Sequence, residues 1–288
     1  DERVEGAAMR KGISLIEVLL SLAIIAVLLS LLVPAIQWAR ARAEVVKCSN
    51  QQKQLMLAAH QYAQQRKGQL PAIYYNVNHF HEDLLPFLEL DASYPEEVRK
   101  GEPKSSVRIP IFICPSDPTP FTYGTSSYAA NAYALWKNPS VNISFKDGLS
   151  NTLLVAEHYA FWNRRVGEGL HGFQFMWTRY PPGVYPRDTP AGRAHGRSAT
   201  FAHVRYGDAL PVTEGSPPRA RSSIPGLVFQ VRPKFDDADP RIPQTPHAAG
   251  MVSGFADGHV RVLKGGMAEE VFWALVTPAG GEIVTLEE

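Results

Sequence analysis

The stretch Arg10-Lys11-Gly12-Ile13-Ser14-Leu15-Ile16-Glu17-Val18-Leu19-Leu20 decides how this chain is read. A short basic leader meets an apolar run at a glycine, and a single carboxylate, Glu17, lies just inside that run. From Ile13 to Ile36 the chain is almost wholly Leu, Ile, Val and Ala. A helix rising about 1.5 Å per residue over this length crosses the roughly 30 Å hydrocarbon core of a bilayer. Thirteen Leu, Ile and Val side chains between Val18 and Ile36 contribute about −4 to −8 kcal/mol to insertion, against about 2.5–3.5 kcal/mol for one ionised group. Apolar burial wins, so the segment is expected to span a membrane, with Arg10 and Lys11 holding its start on the cytoplasmic side. A cleaved signal peptide has a shorter apolar core and a small-residue cleavage site. Here the run continues into Trp38-Ala39-Arg40-Ala41-Arg42. Neither a signal peptide nor a plain anchor explains Glu17, since an intramembrane carboxylate needs a partner.

Gly12, Ile13, Ser14, Leu15, Ile16 and Glu17 resemble the processing site of type IV prepilins and pseudopilins. The resemblance implies cleavage after Gly12 and N-methylation of the new terminal residue, Ile13, with Glu17 as fifth residue of the mature chain. Isoleucine stands where that family usually has phenylalanine, and Pro34 falls where it often has a helix-kinking proline. Pro34 lacks a backbone donor and should bend or locally melt the helix. Cleavage would create a cationic α-amino group on Ile13, and methylation keeps its charge. Glu17 of one subunit can then pair with that amine on a neighbour and fix register rather than add stability. Met9-Arg10-Lys11-Gly12 would make a short leader by itself, with residues 1–8 an upstream extension or the result of a misplaced start.

The pattern past Ile36 is that of an amphipathic helical continuation. Leu55, Ala59 and Tyr62 recur at helical spacing, and Gln51, Gln52, Gln54, Gln61, Gln64 and Gln65 mark a polar face. Gly68 and Pro71 supply an end. Beyond them 22 glycines and 23 prolines in the whole chain favour short strands and loops. Strands are predicted at Arg108–Ile113, Thr152–Ala156, Phe173–Trp177 and Leu227–Val231. Met251–Ala256 and His259–Leu263 read as a hairpin closed by a type I′ turn at Asp257-Gly258, followed by a helix at Ala268–Val276. Thr178–Pro225, rich in Pro, Arg and Gly, reads as long loops. The expected organisation is a leader (1–12), a membrane or filament-core helix (13–36), its amphipathic continuation (37–68) and a β-rich head (69–288). The fold class is α+β, pilin-like, with the long helix packed on an antiparallel head.

His247, nine residues and then Asp257-Gly258 resemble the closing signature of a large prepilin-like family expanded in planctomycete-type bacteria. Cys48-Ser49-Asn50, Cys114-Pro115-Ser116-Asp117, Asp147-Gly148-Leu149-Ser150-Asn151-Thr152 and Glu157 agree with it. His247 and Asp257 are expected to be structural, Asp257 serving the turn and His247 bonding a backbone group or carboxylate; a cation or ligand site, or an anchored enzyme using the pair, are the alternatives. Asp147 and Asn151 offer oxygens suited to calcium, but the spacing is not that of an EF-hand loop and an Asx turn explains the same residues. His79-Phe80-His81 and Glu157-His158 lack a third ligand at telling spacing. Cys48 and Cys114 either form a disulfide, in an exporting compartment where bridges persist, or remain two buried thiols. Two cysteines without metal-type spacing argue against a structural zinc site.

A formal net charge of +1 gives no support for whole-domain nucleic-acid binding, and no nucleophile elbow, phosphate loop or dinucleotide fingerprint is present. The expectation is a non-enzymatic filament subunit of a type IV pilus-like or secretion pseudopilus-like assembly. It would sit in the inner membrane with its head in the periplasm. Its partners would be the prepilin peptidase and methyltransferase, and other pilin-like subunits. The alternative is a membrane-held or minor subunit whose head recognises glycan, DNA or another surface ligand. Its basic loops motivate that reading.

Overall fold

A computed structural model describes residues 14–74, 77–78, 80–90, 94–100, 108–119, 125–136, 139–162, 172–175, 196–198, 200–201, 226–239 and 242–281. Gly12, Ile13 and the leader lie outside them, as do His79, Trp177 and most of the basic loop region. The fold is mixed α+β: one long, initially apolar N-terminal helix and a head built on a largely antiparallel sheet. The chain divides into two compact units, 1–43 and 44–288.

Helix α1, Leu15–Gln65, has 51 residues, about 77 Å at the usual rise. It starts at Ser14, whose backbone N–H donates to Glu17 Oε2 (2.8 Å). This is the backward half of a capping box, with the glutamate at the third helical position. Glu17 therefore has a local role in starting the helix that the apolar pattern did not disclose. The helix runs through Pro34. The proline removes one bond to the carbonyl four residues earlier but does not end the helix; of the two expected effects, bending or local melting, the melting does not occur. By length and composition α1 can cross a membrane. The apolar side chains of its first part are uncovered: Leu15 is 76%, Ile16 73% and Leu31 71% exposed.

The second unit begins at Glu44, and here α1 acquires a buried face: Cys48, Gln52, Leu55, Met56, Ala59, Tyr62 and Ala63. Gln52, assigned by pattern to the polar face, is buried and donates to the Val252 carbonyl (2.8 Å). The helix ends in a Schellman-type turn, Gly68 N–H to Ala63 O (2.8 Å), with Lys67 at φ 56 as well as Gly68 at φ 85.

Strands β1 (Ile73–Tyr74) and β2 (Val77–Asn78) form a small ribbon, followed by the short helices α2 (Phe80–Leu84) and α3 (Glu96–Arg99). The main strands are β3 (Tyr128–Asn131) and β4 (Leu153–Glu157), succeeded by β5 (Phe161–Trp162), β6 (Gly172–Phe175), β7 (Gly196–Ser198), β8 (Thr200–Phe201), β9 (Gln230–Val231), β10 (Gln244–Thr245), β11 (Met251–Phe255) and β12 (Val260–Leu263). Helix α4, Glu269–Val276, follows. The central sheet has the order β12-β11-β4-β3-β8. Its pairs are antiparallel except β3 with β8. β7 and β8 fall inside the stretch expected to be loop.

Strands β3, β4 and β11 are buried on both faces. Tyr128, Ala130, Leu154 and Val252 pack with Leu55, Met56 and Ala59 of α1. Ala129, Leu153, Met251 and Phe255 pack with Phe272, Leu275 and Val276 of α4. Alternate side chains of a strand face opposite ways, so a sheet sandwiched between two helices needs apolar residues at nearly every position.

Two local predictions need correction. Arg108–Ile113 is no strand: Pro110–Phe112 is a 3-10 turn, because Pro110 lacks the N–H that a ladder would use and fixes a turn-compatible φ. The β11–β12 connection is not a type I′ turn. Only Gly258 takes a left-handed φ (91°), Asp257 keeping the ordinary sign. Gly258 N–H bonds Phe255 O and Phe255 N–H bonds His259 O, both at 2.9 Å. This is a three-residue loop with the glycine at its bulge position.

Candidate functional site

The sheet, α1 and two loops bring four reactive side chains together in the head. Cys48 lies on the inner face of α1, one turn before Gln52. Cys114 follows the 3-10 turn Pro110–Phe112, Glu157 ends β4, and His247 sits between β10 and β11. Their donor atoms all lie within 4.8 Å of one another. Cys48 and Cys114 are 0% exposed, Glu157 1% and His247 4%. Cys48 Sγ stands 2.6 Å from Cys114 Sγ, both thiols being free. Cys114 Sγ is 3.4 Å from His247 Nε2, which is 3.1 Å from Glu157 Oε1.

The carboxylate is fixed from its other oxygen. Glu157 Oε2 accepts from Thr245 Oγ1 (2.6 Å) and from the Val252 N–H (3.0 Å). Thr245 Oγ1 also accepts from the His247 backbone N–H (3.1 Å), so one hydroxyl orients both the carboxylate and the loop carrying the imidazole. Glu157 Oε1 is sealed from solvent and has no well-aligned hydrogen-bond partner among the described residues; His247 Nε2 approaches it as a charge neighbour. A hydrogen bond from Cys114 holds the Cys48 thiol down, to about 6, against burial. The same bond and burial push Cys114 up. Burial alone would lower His247, but Cys48 and Glu157 beside it raise it to about 10. The cluster thus stabilises one thiolate beside a cationic imidazole.

The remaining predicted residues lie elsewhere. Asp257 is at the exposed hairpin tip, its Oδ1 accepting from the His259 N–H (2.9 Å), while Lys53 Nζ from α1 donates to the Gly258 carbonyl (2.6 Å). The two ends of the His-x9-Asp-Gly signature therefore serve different places, His247 the buried cluster and Asp257 the turn. Asp147 Oδ2 and Oδ1 accept from the backbone N–H groups of Gly280 (2.6 Å) and Gly281 (2.9 Å), and Asn151 donates to the Asp147 carbonyl (2.9 Å). These residues anchor the segment after α4. His81 is buried, its Nε2 bonding the Tyr128 carbonyl (2.9 Å).

Sequence spacing missed Glu157 as a companion of the cysteines. Cys48, Cys114, Glu157 and His247 come from four distant segments, so no local motif announces them. The one signal was that each already stood inside a separately recognisable short segment.

No curated protein and no solved structure matches the chain. Residues 37–265, well over half of the sequence and the whole four-residue cluster, match the model of one family; the chain belongs to SBP_bac_10, described as a protein of unknown function (DUF1559).

Proposed function

We propose that this chain is a structural subunit of a type IV pilus-like or type II secretion pseudopilus-like filament, trimmed after Gly12 and methylated on Ile13. The observation that carries the reading is Glu17, the single carboxylate of an apolar helical segment whose side chains are uncovered. Lipid would cover that segment before assembly, and neighbouring copies of it afterwards. In either setting the glutamate needs a positive partner, and the amine freed on Ile13 supplies one on an adjacent subunit. The inner membrane then holds the chain by α1, with the head in the periplasm until assembly. The chain is the peptidase's substrate and performs no catalysis itself.

The capping bond from Ser14 dictates how the pairing is tested. Glu17→Leu removes both cap and charge, whereas Glu17→Gln retains an acceptor for the Ser14 N–H and loses only the charge. Both variants should insert normally. If register depends on charge pairing, Glu17→Gln should assemble as badly as Glu17→Leu in a sedimentation or electron-microscopy assay. Filaments of Glu17→Gln at wild-type yield would remove the pairing. Mass spectrometry of the native N-terminus tests the processing. Methylated Ile13 is expected in the wild type, and a bulky residue at Gly12 should leave the leader attached. An isolated wild-type protein still carrying Arg10-Lys11-Gly12 would refute the reading.

A further inference from the structure

We propose that Cys48, Cys114, Glu157 and His247 bind one zinc ion in a closed structural site that ties α1 to the head. Sulfur, imidazole and carboxylate are the ligand types zinc takes, four in number and tetrahedral when the site is structural. All four donors converge within 4.8 Å. With Zn–S of about 2.3 Å and Zn–N or Zn–O of about 2.0–2.2 Å, the edges of the tetrahedron run from about 3.3 to about 3.8 Å. Cys114 Sγ to His247 Nε2, at 3.4 Å, and His247 Nε2 to Glu157 Oε1, at 3.1 Å, are close to those edges. The sulfurs, 2.6 Å apart, must separate by roughly 1 Å to span theirs. Small rotations of the two cysteine side chains accomplish that.

The second observation is the buried carboxylate oxygen. Glu157 Oε1 is buried with no aligned hydrogen bond among the described residues, and only His247 Nε2, 3.1 Å away, faces it; an ion shared by that oxygen and that imidazole satisfies both. Its sister oxygen is held by Thr245 and Val252, the kind of outer support that aims a ligating carboxylate. A disulfide would use the sulfurs alone and leave the carboxylate facing only the imidazole. Zinc uses all four groups. Two thiolates, a carboxylate and a neutral imidazole leave a net charge of −1 around the ion. That lies between the neutral site made by two thiolates with two imidazoles and the doubly negative site made by four thiolates. No coordination position opens to solvent, so the ion joins α1, the Cys114 turn, β4 and the His247 loop without performing chemistry. The inference is independent of the filament reading.

The test is metal content, thiol state and intact mass of the full chain, purified in detergent without chelator. About one zinc per chain is expected, with both cysteines unreactive to a maleimide until a chelator is added. Cobalt exchanged into the site should show thiolate charge-transfer absorption. Glu157→Gln keeps an oxygen for Thr245 and Val252 while replacing the ligating one, and should weaken zinc binding at least about 10-fold. Zinc-free protein whose mass is lower by two hydrogens, with no free thiol before reduction, would establish a disulfide and overturn the proposal. Protein that stays zinc-free after dialysis against zinc, with both thiols titrating as free once unfolded, would overturn it equally. Both wild-type results are decisive even if the variant misfolds.

Discussion

Asn131 ends β3 with its side chain 0% exposed and fully committed. Nδ2 donates to the Leu153 carbonyl (2.7 Å) and to the Val276 carbonyl (2.8 Å). Oδ1 accepts from the backbone N–H groups of Tyr133 (2.9 Å) and Ala134 (3.1 Å). One amide thus joins β3, β4, the end of α4 and the turn after β3, using all four of its hydrogen-bonding positions. Asn131→Ala removes four bonds at a net of about 1 kcal/mol each, so a loss of about 4 kcal/mol is expected. That is a large share of the roughly 5–15 kcal/mol typical of a folded domain. Asn131→Asp is the sharper probe. It has the same shape and keeps the acceptor, but it sets an oxygen against two carbonyls. The aspartate form is disfavoured there, so its folded pKa lies above the unfolded value. The folded state then binds the extra proton, and stability should be recovered as pH falls toward the unfolded aspartate range. Urea unfolding of the full chain in detergent, followed by tryptophan fluorescence, reads both effects. An Asn131→Ala loss below about 1 kcal/mol, or an Asn131→Asp variant with no acid recovery relative to wild type, would refute the bridging role.

His81 gives a second pH signature of opposite sign. Burial holds it down to about 4, despite the bond to the Tyr128 carbonyl. The folded pKa is below the unfolded value, so its contribution is intact above about 6.5 and is lost as pH falls from about 6.5 toward about 4, roughly 3 kcal/mol in all. The stability difference between wild type and His81→Gln should therefore shrink over that window; a difference constant with pH would be the contrary result. Gly250 has φ 129, and an added Cβ would collide with the Leu263 carbonyl oxygen. Gly250→Ala should cost about 3 kcal/mol or more. Gly226 is also left-handed (φ 74), but no atom of the described residues lies within 4 Å of an added Cβ, and Gly226→Ala should cost only about 1 kcal/mol. Equal melting temperatures for the two variants would contradict this ranking.

Periodicity and turn chemistry were enough to read the long helix, strands β4 and β11, the hairpin and α4, because each is governed by residues close in sequence. Nonlocal contacts decide the remainder. Gln52 looked like part of a polar face until Val252 was found to accept its amide proton. Arg108–Ile113 had strand composition, but Pro110 turned it. The Asp257-Gly258 dipeptide located the hairpin correctly yet concealed that three residues form the loop.

The apolar run after Gly12, its lone glutamate and the basic residues before it stand in the order of residues itself, because the capacity to cross a membrane depends on the composition of one continuous segment. The meeting of Cys48, Cys114, Glu157 and His247 depends instead on packing one half of α1 against the sheet. Their separations, 66 residues between the cysteines and 133 from Cys114 to His247, are closed only by strand pairing and core burial. Spacing along the chain carries no information about such convergence, since the ligand geometry is set across elements rather than within one.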